Sequence, residues 1–114
     1  MPRDNTYTFI ERRRSKTLTQ LVKAFCLDYM ARKTHIMKKD TSRRVRMEYE
    51  YINSRIFDGA AEIVGSELAE SFIEDIGNSR GYGGSNLIFY SERNYKVLKG
   101  EVMDNIARSL HLLD

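Results

Sequence analysis

Apolar residues recur along this chain at steps of three and four, with polar residues filling the positions between them. Leu18, Leu21, Val22, Phe25, Tyr29 and Met30 make one such stripe, with Lys23, Asp28 and Arg32 off it, the pattern of a helix that buries one face. Thr17-Leu18-Thr19-Gln20 has the capping-box form, so the spacing predicts a helix start at Thr17. Lys38-Lys39-Asp40-Thr41-Ser42 reads as a basic connector with a fresh N-cap at Thr41 or Ser42.

The second stripe is the clearest. Val45, Tyr49, Ile52, Ile56, Ala60 and Ile63 keep helical spacing, Phe57 and Val64 widen the face, and Gly65 stands where a helix would end. Glycine inside a helix costs about 1 kcal/mol relative to alanine, so Gly59-Ala60-Ala61 predicts a close helix crossing. Ser66 then caps a shorter helix, with Leu68, Phe72, Ile73 and Ile76 inward and Glu67, Glu70, Glu74 and Asp75 outward. That helix ends at Gly77, the first residue of the loop GNSRGYGGSN, and the short apolar segment 86–90 at the end of the loop is expected to plug the core. Ser91 caps a last helix whose stripe is Tyr95, Leu98, Val102, Ile106, Leu110 and Leu113.

The expectation is an all-α fold of about four helices, near 17–37, 42–64, 66–76 and 91–112. They would pack as a small single-domain bundle with a glycine-rich loop before the last helix. Residues 1–16 form a basic N-terminal arm and 17–114 the helical domain, with Leu21, Phe25, Ile52, Ile56, Phe72, Leu98, Val102 and Ile106 in one core. A length of 114 residues suits one domain, and with Pro2 the only proline nothing breaks the helices before the glycine loop.

Charge changes the picture more than composition does. The net charge of +3 hides a division: residues 1–46 are strongly basic and the remainder acidic, with no basic residue between Arg55 and Arg80. Such a division points to a polyanion contact for the basic half, to head-to-tail pairing between copies, or to neutralisation between helices inside the fold. The one cysteine, Cys26, excludes an internal disulfide, and His35 and His111 alone make no zinc set. MPRDNTYTFIERRR holds no signal-like apolar run and no later window approaches a membrane span, so a soluble cytoplasmic protein is expected.

Enzyme chemistry finds little purchase, and no cofactor or metal is expected. HExxH, GxSxG and GxxxxGK[ST] are all missing, Cys26 lies in an apolar stripe, and Glu70 with Glu74 reads as a solvated face. The glycine loop has neither the preceding strand nor the lysine of a phosphate-binding loop. Its glycines predict a mobile connector or turns with positive φ, while Arg80 and Tyr82 suit sugar–phosphate contact.

The last helix carries Arg93, Asn94, Lys96 and Lys99 near its start, a fork and an amide followed by ammonium groups. These are the donors that base edges and phosphates require. The stretch from Ser91 to Leu113, SERNYKVLKGEVMDNIARSLHLL, resembles the end of the ArpU/RinA group of phage transcription regulators. It shares their cadence of serine, arginine, tyrosine, a basic residue with leucine, and a closing Ile-Ala-x-x-Leu. The resemblance implies a sigma-region-4-like helix-turn-helix whose last helix reads DNA through Arg93, Asn94 and Lys96. The segment from Gly77 to Tyr90 departs from the usual turn of about three or four residues, which gives the loop the place of a wing or arm.

Two functions follow as expectations. The first is a small DNA-binding regulator of phage or mobile-element type, with double-stranded DNA held by Arg80, Arg93, Asn94, Lys96 and Lys99 and by the basic half through Arg12, Arg13, Arg14, Arg43, Arg44 and Arg46. The second is an interaction protein, an inhibitor or adaptor, that covers a charged protein partner with its acidic helix or basic arm. A homodimer is compatible with either.

Overall fold

The computed structural model describes residues 5–87 and 89–112, with side chains from Lys16 onward. It is all-α: α1 (Asn5–Leu27), α2 (Tyr29–Ile36), α3 (Arg43–Val64), α4 (Ser66–Gly77), a 3-10 turn (Tyr82–Gly84) and α5 (Glu92–Ser109). Only Asp28 separates α1 from α2, so the two act as one broken helix and the bundle has four.

The helix does not begin at Thr17. It runs through that residue from Asn5, because no glycine or proline interrupts 5–27 and a capping box works only where the chain enters a helix. Ser42 and Ser91 are the caps expected, accepting from the Val45 and Asn94 amides at 3.2 and 3.1 Å. Ser66 is not one. Gly65, at φ 88°, ends α3 and starts α4 by itself, a left-handed conformation that favours glycine.

α3 is the central element, with α5, α4 and α2 all packed on it. Ile56, Ala60, Phe72, Ile73, Ile76, Tyr95, Val102 and Ile106 make the dry centre. Phe25, Ile52 and Leu98 pack against it half-buried, whereas Leu21 is 41% exposed and lies outside it. Val22, Cys26 and Tyr29 take the buried face of the first helix instead, a rotation that also leaves Met30 exposed. Burial pushes the Cys26 thiol up to about 12, as befits a packed and unreactive group.

The expected close crossing is present. A Cβ on Gly59 would stand 3.0 Å from Ile106 Cα, and Asn105 donates to the Gly59 carbonyl at 2.8 Å. Gly100 is a contrast: it sits exposed in the middle of α5, and a Cβ there would meet nothing within 4 Å. Gly100→Ala is therefore expected to stabilise the protein by about 1 kcal/mol, read as a higher midpoint in urea with an unchanged slope.

Asp75 is not on the outer face of α4. It is 2% exposed, and it anchors the glycine loop. Ser85 Oγ and Tyr95 OH both donate to Asp75 Oδ2, the latter at 2.9 Å, and the Arg80 guanidinium lies 3.6 Å from Oδ1. Ser85 Oγ also accepts from the Leu87 amide, and Leu87 is buried. Phe72 stacks on Tyr95 at 5.7 Å and meets Tyr90 edge-on, while Tyr82 OH donates to the Tyr90 carbonyl.

The loop expected as a mobile connector is anchored to α4 and α5, because a buried carboxylate needs donors and the loop supplies them. None of Gly81, Gly83 or Gly84 has a positive φ. That conformation falls to Ser79 (φ 55°), where the Arg80 amide donates to the Asp75 carbonyl and closes α4 with a Schellman turn.

Candidate nucleic-acid interface

Two groups of cations face outward. The first surrounds the start of α5. Ser91 caps the helix, which leaves Arg93, Asn94 and Lys96 exposed on its opening turns. Lys96 pairs with Glu92 at 3.0 Å, an exposed pair in the favoured order along a helix. Among the described residues, neither the Arg93 nor the Asn94 side chain has a bonding partner.

Lys99 is placed differently from its neighbours. It is half-buried, its Nζ donates to the Arg80 carbonyl at 2.6 Å, and it lies 5.8 Å from the centre of the Tyr95 ring. Burial lowers its pKa, Asp75 opposes that, and the charge of Lys23 on α1 lowers it further. Lys23 thus lies near enough to Lys99 for the two charges to act on each other beside the loop. Nothing in the spacing of Lys23 announces that proximity, since Lys99 is distant in the chain.

The second group lies on the α2–α3 connector and the first turn of α3. Lys38, Lys39, Arg43 and Arg44 are exposed there, Arg44 paired with Glu48 at 3.3 Å. Arg46 is half-buried, and its Nη2 donates to the Lys38 carbonyl at 3.0 Å. Thr41 Oγ1 donates to the His35 carbonyl at 2.7 Å, so the connector is fastened at both ends. The first turn of α3 holds no acid. Its arginines oppose the helix dipole, an arrangement that folding alone does not favour but that an anion would relieve.

The two groups stand apart. Arg55 Nη2 lies 3.2 Å from His111 Nε2, Gly59 meets Ile106, and Glu62 meets Asn105. Rising numbers on α3 thus meet falling numbers on α5, so the helices run antiparallel. From the crossing, Arg43 and Arg93 lie on the order of 20 Å away in opposite directions, at about 1.5 Å per residue. Arg12, Arg13 and Arg14 belong to α1, and their side chains lie outside the described residues.

The acidic helix presents less charge than its composition suggests. Glu70 accepts from Lys33 Nζ at 2.5 Å and Tyr29 OH at 3.0 Å, and the Lys33 bond holds its carboxyl below the usual range. With Asp75 buried, Glu67 and Glu74 are the exposed acids of α4.

Residues 78–91 separate α4 from α5, and each helix packs chiefly on α3 rather than on the other. No helix among the described residues is long and apolar enough to cross a membrane. Comparison with protein-family models, with curated proteins and with solved structures found no match, so the resemblance to the ArpU/RinA regulators rests on the residues of 91–113 alone.

Proposed function

We propose that the protein binds double-stranded DNA as a small transcriptional regulator. The opening turns of α5 read sequence, and the 38–44 connector with the first turn of α3 supplies phosphate contacts that do not depend on it. The observation that carries this reading is the pair Arg93 and Asn94, exposed on a capped helix start with no partner of their own among the described residues. A guanidinium fork and a carboxamide are the groups that recognise guanine and adenine edges. α5 is held out by α3 and by the anchored loop, not by a preceding helix one short turn away.

The interaction-protein reading has less support, since two of the four acids of α4 are engaged inside the fold. The proposed regulator is a non-enzyme that works without a cofactor.

Electrophoretic shift at two salt concentrations tests the proposal. Arg93→Ala or Asn94→Ala is expected to cost about 1–3 kcal/mol on a selected site and much less on random duplex. Replacing Arg43 and Arg44 by alanine should weaken all duplexes alike and flatten the slope of log affinity against log salt by about 0.9 for each phosphate that is no longer neutralised. Absence of binding by the parent protein in low salt would overturn the proposal.

A further inference from the structure

A cleft between α2 and α3 has a volume of about 280 Å³ and is lined by Asp28, Ala31, Arg32, His35, Tyr49 and Ile52. Arg32 is the unusual member. It is 8% exposed, its Nε donates to Asn53 Oδ1 at 2.7 Å and its Nη2 to the Phe25 carbonyl at 2.5 Å. Both acceptors are neutral, and among the described residues no carboxylate lies within ion-pair distance of it.

Those two bonds brace the break between the first two helices. Asn53 completes the brace by donating to the Tyr29 carbonyl at 3.0 Å. A guanidinium has five N–H groups, so the brace leaves both hydrogens of Nη1 and one of Nη2 uncommitted. A cation so deeply buried with no carboxylate in direct contact is costly, and an anion placed against its free edge would offset that cost.

The rest of the cleft narrows the class of anion. The His35 and Tyr49 rings lie 5.4 Å apart and bring an imidazole and a phenol, while Ala31 and Ile52 add apolar surface. Asp28 lines the same cleft, and its charge acts on Arg32 from beyond ion-pair range. Asp28 repels any anion in the cleft and a phosphate dianion most, so the class left to Arg32 is a singly charged group in direct contact with its guanidinium. The volume falls just under the roughly 300 Å³ at which ligand sites ordinarily begin, so the ligand is a small one.

We propose that this cleft binds a small carboxylate-bearing molecule, its carboxylate on the free edge of Arg32 and its apolar part over Ala31 and Ile52. Tyr49 and His35 supply further hydrogen bonds. The site stands whether or not the protein binds DNA, and it would give the protein a small-molecule input.

The test is a titration of the full chain with benzoate, followed by the NMR signals of the Arg32 side-chain N–H and of the Tyr49 and Ile52 amides. Neutral benzamide and inorganic phosphate are run in parallel. Benzoate is expected to saturate these shifts with a dissociation constant on the order of 1 mM, with benzamide and phosphate about tenfold weaker or worse. Ala31→Phe, which fills the cleft from an exposed helical position and leaves the Arg32 brace untouched, should weaken benzoate by about tenfold with unchanged circular dichroism. Shifts that fail to saturate, benzamide equal to benzoate, or tighter binding of phosphate would each overturn the proposal.

Discussion

Gly77→Ala is expected to destabilise the protein by about 3 kcal/mol or more, at the upper end of what overpacking costs. A Cβ on Gly77 would stand 2.6 Å from Leu27 N, 2.7 Å from Cys26 C and 2.8 Å from Leu27 Cα. All three are backbone atoms, so no side chain can swing aside. Relief requires α1 and α4 to separate, and that separation opens the layer formed by Val22, Cys26, Phe72 and Ile76. Alanine would return about 1 kcal/mol of helix propensity, which is too little to offset the clash. Urea unfolding decides the matter: a loss below about 1 kcal/mol would mean that α1 does not dock on α4 as described.

Asp75→Ala is expected to cost about 3–5 kcal/mol, the range for removing one partner of a buried charged set. The change strands the Tyr95 and Ser85 hydroxyls and frees Arg80, so the damage should centre on the loop. Hydrogen exchange should show the Leu87 amide, now held by Ser85 Oγ at 2.9 Å, losing protection more than α3 does. Tyr95→Phe should cost less, since it removes one donor and keeps the ring stacked on Phe72. Uniform loss of protection along the chain, or a loss below about 1 kcal/mol, would refute the loop's dependence on Asp75.

These two effects also mark how far the amino-acid order can be read. Local rules suffice for the helices themselves, because spacing, caps and the lack of proline act over a few residues: α3, Ser42, Ser91, Gly65 and the Gly59 crossing are all legible. Asp75 and Arg32 escape such rules as interior groups although both sit at stripe spacing, Asp75 three residues after Phe72 and Arg32 three after Tyr29. Polarity argues them outward, and partners distant in the chain, Ser85 and Tyr95 for one and Asn53 for the other, hold them in. The glycine loop is legible only in part for the same reason: its composition promises motion, whereas its anchor is a carboxylate on another helix. The donor set Arg93, Asn94 and Lys96 is written in residues 93–96, and its exposure follows from the helix period. Where the other cations lie in relation to it depends on α5 running antiparallel to α3. That direction is a property of long-range packing, and it places Arg43 and Arg44 at the far end of the helix pair from Arg93.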